Sequence, residues 1–355
     1  MKLYNISELL KKAVEEKASD LHLTVGVPPV LRVHGQLNTI EADSLRPEDT
    51  QEYVKQVMDE KQINLLDEHG EWDFSFFLPG LARFRVNAYK QRGSYALAIR
   101  VVNINPPNLD DFGFPPSLKD LSLKPRGLIL VTGPTGSGKS TTLAAMVNHI
   151  NQNRRCHIIT LEDPIEYLHT HDKSMVNQRE IGSDSLTFSN SLRAALREDP
   201  DVILVGEMRD METISTAITA AETGHLVMST LHTMSADQTI DRIIDSFPSY
   251  QQSQIKTQLA AVLEGIIAQQ LLPLKTNDGR IAALEILLAN GAIRNLIREG
   301  RTHQIQTSIQ TGMKSGMRSM DFSLADLVRR GSITNETAME RAMDREMLKQ
   351  HLRMF

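Results

Sequence analysis

Cysteine is nearly absent from this sequence of 355 residues, and long apolar stretches are absent altogether. Cys156 is the single cysteine, which excludes an internal disulfide and a zinc site built from several thiolates, and which suits a reducing compartment. No run of about 18 apolar residues occurs, so no transmembrane helix is predicted. Lysine and glutamate interrupt the N-terminal segment, and we expect no signal peptide there.

An excess of charge of one sign is lacking too. The formal net charge is −5 and the isoelectric point is about 6.1, which gives no general attraction to nucleic acid or anionic lipid. Aromatic residues make up 5% of the chain, and no basic stripe with interleaved aromatic residues is found. Apolar residues at 41% and charged residues at 23% are typical of a soluble globular protein, and the length favours two domains.

The most specific pattern is the segment 133–140, which reads GPTGSGKS and fits G-x-x-x-x-G-K-[ST]. An apolar run predicts a strand before it, and good helix formers predict a helix after it. Glycines allow backbone N–H groups to surround phosphate oxygens at a helix N-terminus. Lys139 is predicted to bind the β- and γ-phosphates, and Ser140 to ligate Mg²⁺. The sequence therefore predicts a nucleoside triphosphate site formed by Gly133, Pro134, Thr135, Gly136, Ser137, Gly138, Lys139, Ser140 and Thr141.

Acidic residues follow two later predicted strands. Glu162, Asp163 and Glu166 follow one strand, and Glu207 follows the other. Open α/β sheets bind ligands at the carboxyl ends of their strands. The first group is predicted to hold Mg²⁺ through water and to orient the attacking water, although a solvated turn is an equal alternative. Glu207 is predicted to be the general base rather than a surface residue, and Gly206 stands where such folds often have a metal-supporting aspartate, so Glu162 and Glu166 must supply part of that role.

Two histidines, His225 and His232, flank a further predicted strand. A single histidine is more often a structural residue than a ligand. No accompanying set of metal ligands is present in the sequence around them. The pattern alone therefore leaves a structural role open for both.

Alternating apolar and polar residues predict a long hairpin in the N-terminal region. If Arg92 and Gly93 form a two-residue turn, Arg85 lies opposite Arg100 on the polar face, whereas a three-residue turn would shift this register. Two facing guanidinium groups are unfavourable unless an anion lies near them. We therefore expect either that they reach a nucleotide held by a neighbouring subunit, as arginine fingers do, or that they form a solvated basic face with nearby carboxylates.

The chain is predicted to be α/β, with a small N-terminal α+β domain at 1–105 and an α/β domain with a mainly parallel sheet at 118–355. Residues 106–117 are rich in proline, asparagine and aspartate, and they predict a semi-stiff linker. Single helices are predicted at 47–66 and at 250–270. A shorter amphipathic helix is predicted at 292–299, where Ile293, Leu296 and Ile297 share one face with Arg294 and Arg298 on another.

Together these motifs resemble the secretion ATPases of type II secretion and type IV pili, and more narrowly the pilus retraction ATPases. The resemblance covers nearly the whole chain and rests on the segments 19–23, 127–142, 161–167, 196–210, 224–233 and 292–299. It implies a PAS-like N-terminal domain and a RecA-like C-terminal P-loop ATPase domain in a homohexamer, with ATP and Mg²⁺ bound between the two domains.

The resemblance also implies roles for single residues. Glu162, Asp163 and Glu166 match the acidic box of the family, and Glu207 matches its catalytic glutamate. His225 and His232 match its histidine box, with His225 at the nucleotide and His232 as a sensor of the γ-phosphate. The family uses arginines of the N-terminal domain at the nucleotide, which agrees with the argument for Arg85 and Arg100.

The function implied is ATP hydrolysis that drives retraction of type IV pili, by disassembly of pilin at the fibre base, and hence twitching motility. The protein would act in the cytoplasm at the inner-membrane face, peripherally, on a platform protein and the pilin machinery. Segment 292–299 resembles the motif that retraction ATPases need, which implies partner coupling through Ile293, Arg294, Leu296 and Ile297.

Three alternatives stay open from the sequence. A pilus-assembly or type II secretion ATPase usually carries a four-cysteine zinc segment, which the single cysteine excludes here. A RecA-type nucleic-acid translocase shares the core, but the acidic net charge argues against it. A scaffold that uses ATP only for ring assembly would show no multiple turnover.

Overall fold

The computed structural model describes residues 4–33, 35–102, 105–276 and 278–353. These residues form two compact units: one holds the described residues up to Asn105 together with Glu166–Leu168, and the other holds the remainder. The stretch 106–117, predicted as a linker, groups with the second unit. Its Leu109 is buried in the core of that unit, and Asn148 donates hydrogen bonds to the carbonyls of Pro106 and Pro107.

The first unit is built on a six-stranded antiparallel sheet with the order β3-β2-β1-β6-β5-β4. Its buried residues form one apolar core, which includes Leu9, Leu21 and Phe84. The predicted α+β class of this region is confirmed. The elements are α1 (Ile6–Glu15), β1 (Asp20–Leu23), β2 (Val30–Val33), β3 (Gln36–Thr39), α2 (Pro47–Val57), α3 (Glu60–His69), β4 (Glu71–Leu78), β5 (Ala82–Gln91) and β6 (Ser94–Val102).

The single helix predicted at 47–66 is wrong, because the chain breaks between α2 and α3. Met58 is extended, and Asp59 begins the second helix with a capping box: its carboxylate accepts from the Gln62 N–H while the Gln62 side chain accepts from the Asp59 N–H. Two backbone donors that a continuous helix would satisfy internally are satisfied by side chains instead. The spacing of Asp59 and Gln62 was the signal in the sequence.

The second unit is built on a seven-stranded sheet with the order β13-β12-β7-β11-β10-β8-β9, parallel except for the pair β12 and β13. Its elements up to β11 are a 3₁₀ turn (Leu109–Phe112), α4 (Ser117–Ser122), β7 (Gly127–Thr132), α5 (Lys139–Asn153), β8 (His157–Glu162), β9 (Met175–Glu180), α6 (Phe188–Ala195), β10 (Val202–Val205), α7 (Met211–Glu222) and β11 (Leu226–Leu231). The remaining elements are α8 (Ala236–Asp245), α9 (Ser249–Val262), β12 (Leu263–Pro273), β13 (Arg280–Leu288), α10 (Gly291–Glu299), a 3₁₀ turn (Thr302–Gln304), α11 (Ile305–Thr311), a 3₁₀ turn (Met313–Ser315), α12 (Met320–Arg329), α13 (Asn335–Arg341) and α14 (Arg345–Arg353).

Apolar cores lie on both faces of this sheet. Along β7, Leu128 and Leu130 pack into one core, whereas Ile129 and Val131 pack into the other. A strand covered on both faces is apolar at every position instead of alternating. The predicted α/β class of this unit is confirmed.

The helix predicted at 250–270 is also wrong, because α9 ends at Val262 and the chain enters β12 directly. Leu263 is extended, and β12 is buried between β7 and β13. The segment 259–272, LAAVLEGIIAQQLL, is mostly apolar and marks neither the period of a strand nor that of a helix, so its pattern does not separate the two. Within β12, Gly265 packs closely against α4, where a Cβ would lie 2.9 Å from the Leu121 side chain.

Parallel pairing gives the sheet two unlike edges. The six parallel strands end at what we call the carboxyl edge, marked by Thr132, Glu162, Val205 and Leu231, and they begin at what we call the amino edge, where Gly127 pairs with Leu226. Within the described ranges, no helix is long and apolar enough to cross a membrane.

Candidate nucleotide site

The segment 133–138 leaves β7 at the carboxyl edge and leads into α5, as the strand, loop and helix pattern predicts. Gly138 is left-handed, with φ of +87°, which favours glycine. At Gly133 a Cβ would lie 2.2 Å from the Gln269 carbonyl oxygen, so no side chain fits there. The loop's shape therefore depends on glycine at both of its ends.

Lys139 and Ser137 give the loop its polar interior. The Lys139 side chain is buried, and its ammonium donates to the carbonyls of Gly133 (2.8 Å) and Pro134 (3.1 Å). The Ser137 hydroxyl is buried with no hydrogen-bond partner among the described residues. A buried hydroxyl without a partner costs free energy that a ligand can recover. The loop therefore fits an anionic group that accepts hydrogen bonds, such as a phosphate.

Glu207 lies at the same edge, just beyond β10, between an arginine and a histidine. Arg209 Nη2 is 2.8 Å from Glu207 Oε2, and His232 Nε2 is 3.2 Å from Glu207 Oε1. Burial raises the pKa of Glu207, but the hydrogen bonds and charges of Arg209 and His232 outweigh it, so this pKa lies below its ordinary value. Glu207 is therefore a carboxylate at neutral pH and can accept a proton.

His232 reaches Glu207 because β10 and β11 are neighbours in register. The Thr230 hydroxyl donates to the Gly206 carbonyl (2.7 Å), which ties the ends of the two strands together. The predicted pair of catalytic glutamate and histidine is thus brought together at the edge that carries the loop.

The predicted magnesium ligands are less well gathered. Glu162 ends β8 at the carboxyl edge, and its Oε1 accepts from the Thr160 hydroxyl (2.6 Å) and the Gln178 amide (3.0 Å). Within the described residues, no group of three or more His, Cys, Asp or Glu side chains could hold a metal ion. Mg²⁺ commonly binds through one or two protein ligands, water and substrate phosphates. Ser140, exposed in the first turn of α5, and Glu162 fit that mode, and both assignments stay predictions.

Asp163 and Glu166 separate after Glu162. Asp163 is exposed beside it, whereas Glu166 belongs to the short segment Glu166–Leu168 that groups with the first unit. Their predicted roles at the nucleotide stay predictions.

His225 and His232 flank β11 as predicted, but they lie at opposite edges of the sheet. The Gly127 N–H donates to the His225 carbonyl, which puts His225 at the amino edge, and its Nδ1 lies 2.8 Å from the Ala220 carbonyl oxygen. A strand advances about 3.3 Å per residue, so His225 and His232, at opposite ends of β11, lie about 20 Å apart. Binding of His225 to a nucleotide on this chain's own loop does not fit this geometry.

The predicted hairpin register is confirmed, since Arg85 pairs with Arg100 across a turn at Arg92 and Gly93. The Arg100 guanidinium donates to Asp20 (2.9 Å), and Arg85 is exposed. For Arg100 the structure favours the alternative with nearby carboxylates. A role of either arginine at a nucleotide stays a prediction.

The residues predicted to couple to a partner lie mostly inside the second unit. Ile293 and Ile297 of α10 are fully buried in its core, and Leu296 packs partly against it. Arg294 donates to the carbonyls of Ala260 (2.7 Å) and Ala261 (2.8 Å) and to Glu264 (2.8 Å). These contacts hold α10 to the chain's own core, and partner coupling stays a prediction.

A cavity beside the loop was not found from the sequence. It has a volume of about 560 Å³ and continues from the loop and the first turns of α5. The aromatic pair Phe112 and Phe114 lies within the stretch predicted as a linker, and no pattern marked it as part of a site. The residues that line the cavity include Phe112, Phe114, Thr141, Thr142, Leu271 and Arg280.

The fold and this edge define a P-loop nucleotide-binding domain of the ATPase type: a glycine-rich loop between strand and helix, with a carboxylate and a histidine from adjacent parallel strands. The chain belongs to the family described as "Type II/IV secretion system protein", whose model matches residues 2–277.

Two relatives cover almost the full chain. The "Type IV pilus retractation ATPase PilT" of Pseudomonas aeruginosa is 48% identical over 338 residues, which are 95% of this chain and 98% of that protein. The "Twitching motility protein" of Neisseria gonorrhoeae is 46% identical over 345 residues, 97% of this chain and 92% of that one.

A solved structure described as the pilus retraction motor PilT with bound ADP has a TM-score of 0.92 and 50% identity, covering 98% of this chain and 100% of that one. The predicted family, the ATPase class and the binding of nucleotide are confirmed by these relatives.

Proposed function

We propose that this chain is a motor ATPase that hydrolyses ATP to drive the retraction of type IV pili. The observation that carries the proposal is a complete phosphate loop beside the Glu207 and His232 pair, in a chain that matches pilus retraction ATPases over nearly its whole length. Pilus retraction, predicted from the sequence, agrees with the names of these relatives.

In this proposal the loop binds the β- and γ-phosphates. Backbone N–H groups at the start of α5 and the helix dipole favour negative charge there. Lys139 turns its ammonium from the two loop carbonyls to the phosphates. The base of the nucleotide enters the cavity beside Thr141, where Phe112 and Phe114 supply apolar surface.

Glu207 acts as the general base. Its lowered pKa keeps it ionised, so it accepts a proton from the water that attacks the γ-phosphorus. His232 touches the same carboxylate and senses the γ-phosphate through it. Mg²⁺ held by Ser140, with Glu162 acting through water, would offset the phosphate charge.

The assembly is a homohexamer at the cytoplasmic face of the inner membrane. Arg85 reaches the nucleotide of a neighbouring subunit, and Arg100 joins it by leaving its contact with Asp20. Asp163 and Glu166 complete the acidic side of the site, and α10 couples the ring to a platform protein and the pilin machinery. A ligand can only shift an equilibrium by its differential affinity for the two states. Tighter binding of ATP by the closed state of a subunit than by its open state therefore provides the free energy that drives closure.

The test is deletion of the gene in the source organism, with complementation by wild type and by Glu207→Gln. We expect the deletion strain to carry excess pili and to lose twitching. The wild-type gene should restore normal pilus number and twitching, and the variant should restore neither. Cells without pili would point to pilus assembly instead, and an unchanged pilus phenotype would refute the proposal. Purified wild type should release phosphate over many turnovers, which a scaffold would not do.

A further inference from the structure

Gln269 joins the phosphate loop to a strand far away in the sequence. It lies on β12, one residue past the pair of Ala268 with Thr132, and it is level with the start of the loop. Its side chain is 3% exposed. Its carbonyl oxygen leaves no room for a Cβ at Gly133, and its amide nitrogen would lie 2.8 Å from a Cβ at Gly138. Both ends of the loop therefore pack against this one residue.

The amide of Gln269 makes two buried hydrogen bonds. Its Nε2 donates to the Ser137 carbonyl (2.6 Å), and its Oε1 accepts from the Thr142 hydroxyl (2.7 Å). Because a carbonyl can only accept, the amide must point its nitrogen at Ser137, and its oxygen is then available to the hydroxyl. Glutamate would place an acceptor against an acceptor, and methionine of similar length would lose both bonds.

We propose that Gln269 is a positioning residue that holds the phosphate loop in its phosphate-binding conformation. In a trans peptide the C=O and the following N–H point in opposite directions. By binding the Ser137 carbonyl, Gln269 turns the Gly138 N–H away from β12 and leaves it for a phosphate oxygen. Its bond to Thr142 fixes the loop relative to the first turn of α5. The inference rests on the proposed function and adds a residue that acts through the loop.

The test compares Gln269→Met with Gln270→Met in the purified full chain. Gln270 is the next residue on β12, is also buried, and donates to the Arg341 carbonyl on the opposite side of the strand, remote from the loop. Three quantities are measured for each protein: the affinity for ADP by calorimetry, the KM and kcat of ATP hydrolysis, and the melting temperature without nucleotide.

We expect Gln269→Met to weaken ADP binding about thirtyfold, as the loss of two hydrogen bonds of about 1 kcal/mol each implies, and to raise KM more than it lowers kcat. Gln270→Met should lower the melting temperature about as much as Gln269→Met does, but it should leave the affinity for ADP unchanged. Thr142→Val removes one of the two bonds at constant shape and should weaken ADP binding about fivefold, which keeps the test valid if Gln269→Met does not fold.

Equal ADP affinity in wild type, Gln269→Met and Thr142→Val would overturn the inference while leaving the proposed function intact. Equal weakening in Gln270→Met would overturn it too, since the effect would then come from general loss of packing. A wild-type protein that binds no ADP would instead refute the proposed function itself, so the two failures are distinguishable.

Discussion

Glu264 at the amino edge of the parallel sheet is paired with two cations, whereas Glu285 on β13, beside the carboxyl edge, is buried with none among the described residues. Lys124 (3.1 Å) and Arg294 (2.8 Å) both contact Glu264. Glu285 accepts from the Ala236 N–H at the start of α8 and from the Gln306 amide. The amino edge uses its charges to join elements of the fold.

The carboxyl edge instead keeps polar groups incompletely satisfied. In the part of the chain that the structure describes, the Ser137 hydroxyl has no hydrogen-bond partner and Glu285 has no cationic partner. Ser137 belongs to the loop, and Glu285 accepts from Ala236 in the segment that follows His232. Functional sites commonly give up stability that the rest of a fold regains. The comparison therefore predicts that substitutions at the carboxyl edge change the rate of hydrolysis or its pH dependence, whereas substitutions at the amino edge change stability and not the chemistry of hydrolysis.

The largest effect is expected from Glu207→Gln, which should lower the rate of ATP hydrolysis by about two to three orders of magnitude, because the amide cannot accept a proton. Affinity for ADP should be kept. Steady-state phosphate release measures the rate, and calorimetry measures the affinity. The matched control at the amino edge is His225→Gln, which should leave turnover within about twofold because His225 lies at the far end of β11 from His232. A comparable loss of ATP hydrolysis in both variants would contradict the prediction that the chemistry depends on the carboxyl edge alone.

Glu285→Gln tests how much the burial of a carboxylate without a cationic partner among the described residues destabilises the fold. Burial raises the pKa of Glu285 to about 7. This folded-state pKa lies above the value near 4.5 in the unfolded chain, so between these pH values the folded protein binds a proton that the unfolded chain has released. The stability of the protein therefore falls as pH rises from about 4.5 to about 7. The glutamine variant should gain on the order of 2 to 3 kcal/mol over wild type at pH 8, and little at pH 4.5.

Melting curves between pH 4.5 and pH 8 measure this difference. Glu264→Gln is the matched control, because its carboxylate is compensated by two cations, and that variant should be less stable than wild type at pH 8. A gain for Glu285→Gln that does not vary with pH would contradict the assignment.

Arg294→Ala at the amino edge should destabilise the second unit by about 2 kcal/mol, because two backbone carbonyls of α9 and one oxygen of Glu264 lose their donor. Urea unfolding measures the change. Arg298→Ala, an exposed arginine on the same helix, should stay within about 0.5 kcal/mol of wild type. Equal effects would mean that the internal contacts of Arg294 do not anchor α10.

The smallest effect is expected from Arg209→Ala. Loss of its hydrogen bond and charge should raise the pKa of Glu207, so the base becomes protonated at a higher pH than in wild type. The acid limb of the pH profile of kcat should therefore move to higher pH, while turnover at pH 8 changes little. An unmoved acid limb would show that Glu207 does not titrate in the rate-limiting step.

Much of the site could be predicted because its signals are local. The conformation of residues 133–140 follows from glycine at fixed positions and from a strand and helix adjacent in sequence. The hairpin register follows from a two-residue turn, which places Arg85 opposite Arg100 by counting residues outward from Arg92 and Gly93. Glu207 was placed by the rule that parallel strands present their carboxyl ends to ligands.

Other features needed the tertiary structure. The apolar segment after Val262 fits a buried helix or a buried strand equally well, and pairing with β7 decides for the strand. The sequence places His225 and His232 at opposite ends of one strand, and only the parallel pairing of β11 with β7 decides that His232 is the one at the edge of the loop. Gln269 meets Ser137 across 132 residues, a contact that no local pattern encodes.

The sequence by itself therefore determined the phosphate loop, the class of each unit and the chemistry available at the site, since backbone geometry and residue type act over a few neighbouring positions. The tertiary structure alone decided which side chains share an edge, which arginines are engaged inside the fold, and what holds the loop. Those outcomes depend on strand pairing and packing between distant segments, and many pairings are compatible with the same local pattern.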